Sequence, residues 1–132
     1  MKMKATKVIL LILLMLPASL IANADIFEDI GSAIRSGNAK EVGKYFNSSV
    51  DLTIMNQDDV YSRAQAEVIL RDFLSKNTPK AFSIIHQGTS KEGARYAIGS
   101  LQTSQGNSFR TYIFVKPVGG QFLIHELRFE KE

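Results

Sequence analysis

The chain has 132 residues, no cysteine, and 16 Lys+Arg against 13 Asp+Glu. Lys2, Lys4 and Lys7 carry the whole basic excess; past them acids and bases balance, leaving no surplus to hold a phosphate backbone, so nucleic acid is not an expected partner. Without cysteine there is no disulfide and no thiol nucleophile, and two histidines, His86 and His125, fall short of the three or four ligands of a zinc site, so neither metal nor cofactor is expected.

The three lysines precede an unbroken apolar run, Val8 to Leu16, then Pro17 and a stretch closing on Ala22-Asn23-Ala24. A basic start, a short apolar middle and small residues at a cut site are the order of a secretory leader. Residues 1–24 are therefore read as a signal peptide cleaved after Ala24. The apolar run is too short for the roughly 20 residues of a membrane-spanning helix. The expected product is an exported protein, periplasmic or secreted, not inserted in a membrane, with one domain over 25–132.

Helical spacing of Ile26, Phe27, Ile30 and Ile34, with acids early, predicts a helix over 25–35. Gly37 stops it, and Asn38 with Glu41 opens a second, short helix to about Phe46. Val50 to Ile54 alternates as a short strand, followed by a polar loop over 56–59. Ser62 and Gln65 form a capping box before the strongest helix, whose apolar face carries Ala66, Ile69, Leu70 and Phe73; Asn77-Thr78-Pro79 ends it. The remainder reads as strands over 81–87, 94–103, 108–117 and 121–130, joined by short Gly-containing turns. Helices gathered ahead of an antiparallel meander predict α+β architecture, with the helices packed on one face of a curved sheet.

Strict alternation then sorts the side chains. Phe82, Ile84 and His86; Tyr96 and Ile98; Phe109, Thr111, Ile113 and Val115; and Leu123, His125, Leu127 and Phe129 are assigned to the concave, helix-covered face. Arg110, Tyr112, Phe114, Lys116, Phe122, Ile124, Glu126 and Arg128 fall on the outer one.

The element order resembles the cone of the nuclear transport factor 2-like, cystatin-like superfamily. More narrowly, Ser36-Gly37-Asn38-Ala39, Tyr61 through Phe73, His86-Gln87-Gly88, Tyr96-Ala97-Ile98-Gly99, Arg110 and Leu127-Arg128 resemble an exported bacterial family, domain of unknown function 4783. The resemblance implies a cone that can enclose a pocket and a sheet that can mediate dimers. It does not transfer an activity, because this scaffold hosts isomerases, dehydratases and non-catalytic modules.

Two sets of residues are singled out. His86, His125, Tyr96, Thr111, Tyr45 and Asp51 are expected to line a pocket inside the cone, where a small apolar ligand would sit. Arg110, Tyr112, Phe114, Phe122, Ile124 and Arg128 form an aromatic patch with charges, of the kind that marks a homodimer or protein-partner surface. No nucleophile elbow, phosphate loop or base–oxyanion trio can be assembled, so no catalytic residue is assigned. The leading expectation is a non-catalytic binding or scaffold domain. An isomerase or lyase acting through His86 or His125 is the alternative.

Overall fold

The computed structural model describes residues 25–132; the expected leader and its cut site lie outside the described residues. Helix α1 (Ile26–Arg35) starts at Asp25, whose side chain accepts from the Phe27 N–H. Helix α2 (Ala39–Gly43) starts at Asn38, which accepts from the Glu41 N–H. It is shorter than its sequence suggests, because the chain turns at Lys44 and enters β1 (Phe46–Ile54), itself longer than predicted. The stretch read as a polar loop is mostly strand: Met55 adopts a φ of 56°, a two-residue turn closes, and β2 (Gln57–Ser62) runs back along β1. The Ser62–Gln65 capping box is formed in full and opens α3 (Arg63–Lys76). Strands β3 (Pro79–Thr89), β4 (Arg95–Thr103), β5 (Ser108–Val118) and β6 (Gln121–Lys131) follow, with a single 3₁₀ turn, Lys91–Gly93, between β3 and β4.

The six strands form one sheet in the order β2-β1-β6-β5-β4-β3. The meander is as predicted, and β1 joins it parallel to β6, so the sheet is mixed. Its helix-covered side is packed with apolar residues. Phe27, Phe46, Phe109 and Phe129 are almost wholly buried. The Phe73 ring of α3 meets Phe109 edge-on at 5.1 Å and Phe129 at 4.9 Å.

Three strands present faces other than those expected, two of them because of a one-residue bulge. In β3, Ile84 pairs with Gly99 and His86 with Ile98, so Ile85 is an extra residue; beyond it the parity inverts and His86 turns to the outer side with Ile98. In β6, Ile124 pairs with Val115 and Glu126 with Phe114, leaving His125 as the extra residue. Ile124, expected outside, is consequently fully buried, and Phe122 packs against the core. A bulge of this kind shifts every side chain on one side of it.

The third strand is β4, where alternation is unbroken and pairing with β5 is regular throughout, but the expected faces are exchanged. Ala97, Gly99 and Leu101 face inward opposite Ile113, Thr111 and Phe109, so Tyr96 and Ile98 lie outside. Bulk is a poor guide to this strand: the small residues face inward because the Phe82 ring fills the space above Gly99.

Candidate functional site

Of the six residues expected inside the cone, the structure brings no group together there. Thr111 lies on the inner face, fully buried, with no hydrogen-bond partner for its hydroxyl among the described residues. Tyr45 packs against the edge of the core, where burial pushes its phenol pKa up. His125 folds back locally, its Nδ1 3.1 Å from the Leu123 carbonyl oxygen. His86 and Tyr96 are on the opposite face, with Nε2 and the phenol oxygen 3.1 Å apart. Two strands separate β3 from β6, about 14 Å at ordinary strand spacing, so the histidines do not act as a pair. Among the described residues no three His, Asp or Glu side chains converge as metal ligands.

The outer face is where polar and aromatic side chains do assemble. Register defines its rows. One crosses the sheet as Asp58, Thr53, Arg128, Tyr112, Ile98 and His86, from β2 to β3. The next runs Val60, Asp51, Glu126, Phe114, Tyr96 and Gly88. A shorter third row holds Glu130, Arg110, Ser100 and Ser83. Tyr96, Ile98, Tyr112 and Phe114 are all half-exposed and contiguous. The Tyr96 and Tyr112 rings stack at 6.2 Å, and the Lys116 ammonium lies 5.7 Å from the Phe114 ring centre. Tyr96 also covers Gly88, where a β-carbon would stand 2.8 Å from the phenol oxygen.

At the β2 end of these rows sit carboxylates. Asp58 accepts from the Thr53 hydroxyl at 3.0 Å. Hydrogen bonding to Asp58, then desolvation and the negative charges of Asp58 and Glu126, push the Asp51 carboxyl up to about 6, with Arg128 opposing. Asp58 moves the other way, lowered by the bonds from Asp51 and Thr53. Arg128 binds Glu126 at 3.2 Å. Asp51 thus lies with Asp58 and Glu126 in an outer-face group of carboxyls, away from the cone interior.

Sequence reasoning placed Arg110, Tyr112, Phe114 and Arg128 on this face, and there they are. It missed Tyr96, Ile98, His86, Asp51 and Asp58. A signal existed for part of this: Ile84-Ile85 and Leu123-Ile124 are apolar doublets inside alternating strands, and a doublet is what a one-residue bulge leaves in the text. Two cavities lie away from the cone interior, one of them at the edge of the outer face. One of about 310 Å³ opens beside the 3₁₀ turn, against Phe114 and Pro117. A shallow apolar one of about 360 Å³ lies between Tyr61 and the α3 residues Ala64, Val68 and Ile69. Neither is lined by any of the six residues predicted to line an interior pocket.

Helices on one side of a curved, mixed sheet of this order define the nuclear transport factor 2-like, cystatin-like fold. Within it, the chain belongs to the family described as domain of unknown function DUF4783, whose pattern matches residues 27–130. It is similar to the solved structure of a DUF4783 family protein from Bacteroides ovatus, at 31% identity and a TM-score of 0.74, over 79% of this chain and 93% of that one. It is also similar to one from Bacteroides uniformis, at 30% identity and a TM-score of 0.76, over 82% and 98%. A domain of unknown function with a cystatin-like fold from Nostoc punctiforme shares the fold alone, at 8% identity and a TM-score of 0.63, over 80% and 72%. No curated protein matches the chain.

Proposed function

We propose that this is an exported, non-catalytic binding or scaffold domain whose working surface is the outer face of its sheet. The observation that carries this reading is an asymmetry between the two faces. The helix-covered side is filled by phenylalanine rings, while the bare side displays Tyr96, Ile98, Tyr112 and Phe114 as one block flanked by charge. A contiguous aromatic block with arginines beside it has the composition of a protein interface centre, where desolvated rings supply most of the binding energy. Export rests on the basic-then-apolar leader, which would deliver the domain to the periplasm or the medium.

The isomerase or lyase alternative needs a histidine inside the cone, and His86 and His125 both lie off its concave rows. No observation favours it. Phe114→Glu tests the binding-face reading, because it places a charge in the middle of the block without touching the core. The expected result is a folded protein that no longer associates, read by sedimentation against wild type; unchanged association contradicts it.

A further inference from the structure

The cavity of about 310 Å³ beside the 3₁₀ turn has Phe114, a ring of the half-exposed outer block, and Pro117 as one wall. The loop from Ser90 to Ala94 supplies the other. Two backbone hydrogen bonds close this loop on itself. The Ser90 N–H donates to the Ala94 carbonyl at 2.7 Å, and the Ala94 N–H donates to the Lys91 carbonyl at 3.1 Å. Glu92 holds a φ of 61°, in the left-handed region that side chains rarely adopt. A β-carbon on Gly93 would stand 3.4 Å from the Pro117 ring, so the turn is seated against β5. The cavity is therefore formed before anything enters it, and little ordering is needed on binding.

Its lining has a definite chemistry. Lys91, Lys116 and Glu92 are its ionisable side chains. Neither lysine forms an ion pair among the described residues. The Lys116 ammonium rests 5.7 Å from the centre of the Phe114 ring. Two ammonium groups against one carboxylate leave a single positive charge over. Phe114, Pro117 and Ala94 add apolar surface. The complement of such a lining is one anionic group attached directly to an apolar body.

Resting on the outer-face reading above, we infer that this cavity takes the carboxyl-terminal residue of a partner protein. Its terminal carboxylate is held by Lys91 and Lys116, and its apolar side chain packs against Phe114 and Pro117. An internal Asp or Glu brings the charge without the apolar body. An internal apolar residue brings the body without the charge. A chain end carries both on one carbon, and capture of its carboxylate is a recurring mode of peptide recognition. The volume agrees, being at the low end of the range of about 300–1,000 Å³ for ligand sites and suited to one residue. The residues before the chain end then run over Phe114 onto Tyr96, its neighbour across the strands, and Tyr112, which stacks on Tyr96. Rings of this kind supply most of an interface's energy.

The test uses an acetylated tetrapeptide ending in phenylalanine, the same peptide with its carboxyl end amidated, and phenylacetate as a free acid. A second peptide ending in leucine keeps the result independent of one side chain. Each is titrated into the isotope-labelled protein and followed by NMR. The expected result is movement of the Lys91, Glu92 and Lys116 backbone amides with the free-acid peptides and not with the amide. Lys116→Gln should weaken binding about fivefold, the upper end for an exposed ion pair. Glu92→Gln keeps the shape, removes the competing charge and should tighten binding. A purely structural role for the turn would not give opposite signs.

Amidated peptide bound as tightly as free acid overturns the inference, as does the absence of binding by either free-acid peptide. Phenylacetate bound as tightly as the peptides assigns the cavity to a small organic acid and overturns the chain end. Peptide binding that ignores both variants, while Phe114→Glu still abolishes association, removes the chain-end inference and leaves the outer-face reading standing. Association indifferent to Phe114→Glu removes that reading itself.

Discussion

The ζ carbon of Phe82 lies 2.6 Å from where a β-carbon on Gly99 would stand, and the Ser83 carbonyl oxygen lies 2.9 Å from the same point. Phe82 is buried between α1 and the sheet, and Gly99 supplies the gap its ring occupies. Gly99→Ala must therefore push a core ring and a strand apart. The expected loss is about 1–3 kcal/mol, read as a lower melting temperature. A melting temperature unchanged within error would contradict this packing.

Thr111 behaves in the opposite sense. Its hydroxyl is buried beneath the helices without a partner among the described residues, and an unsatisfied buried polar group costs about 1–3 kcal/mol. Thr111→Val keeps the shape and removes the polar atom, so it should raise the melting temperature. A fall would show that the hydroxyl is satisfied and contributes to the fold.

The Asp51–Asp58 pair gives stability a pH signature. The Asp51 pKa rises on folding from 3.8 to about 6, so between those two values the folded chain holds a proton there that the unfolded chain has released. Its contribution to stability is complete below 3.8 and is lost as pH rises through about 6. Asp58, lowered in the fold, works in reverse: its contribution is present above its ordinary value and lost at acid pH. Asp51→Asn can still donate to Asp58 but cannot titrate. Thermal melts on either side of pH 6 should show it more stable than wild type on the alkaline side, with a flatter profile across the interval. Parallel profiles for the two proteins would contradict proton sharing.

Much of this architecture is legible in the text of the chain. The helix caps at Asn38 and Ser62, the four-strand meander and the inward positions of Ile113, Leu127 and Phe129 follow from local chemistry and period. The short strand β2 does not, because Gln57, Asp58 and Asp59 have the composition of a loop and are held as strand by pairing with β1. The site is less legible than the fold. Parity is a running count, and one extra residue at Ile85 or His125 reverses everything beyond it. Both histidines stand at or just past such a residue, which is why a pocket built on alternation dissolves. In β4 the error has a different origin: Tyr96 and Ile98 are larger than Ala97 and Gly99, and size suggests burial where only the position of Phe82, on another strand, decides it.

Native mass spectrometry of the purified domain over residues 25–132 puts the two faces in direct competition. A filled cone and a working outer face predict a domain that carries no small molecule and whose association, read by mass, is lost in Phe114→Glu. A monomer that carries a bound small molecule, retained in Phe114→Glu, would place the function inside the cone and contradict the outer-face reading.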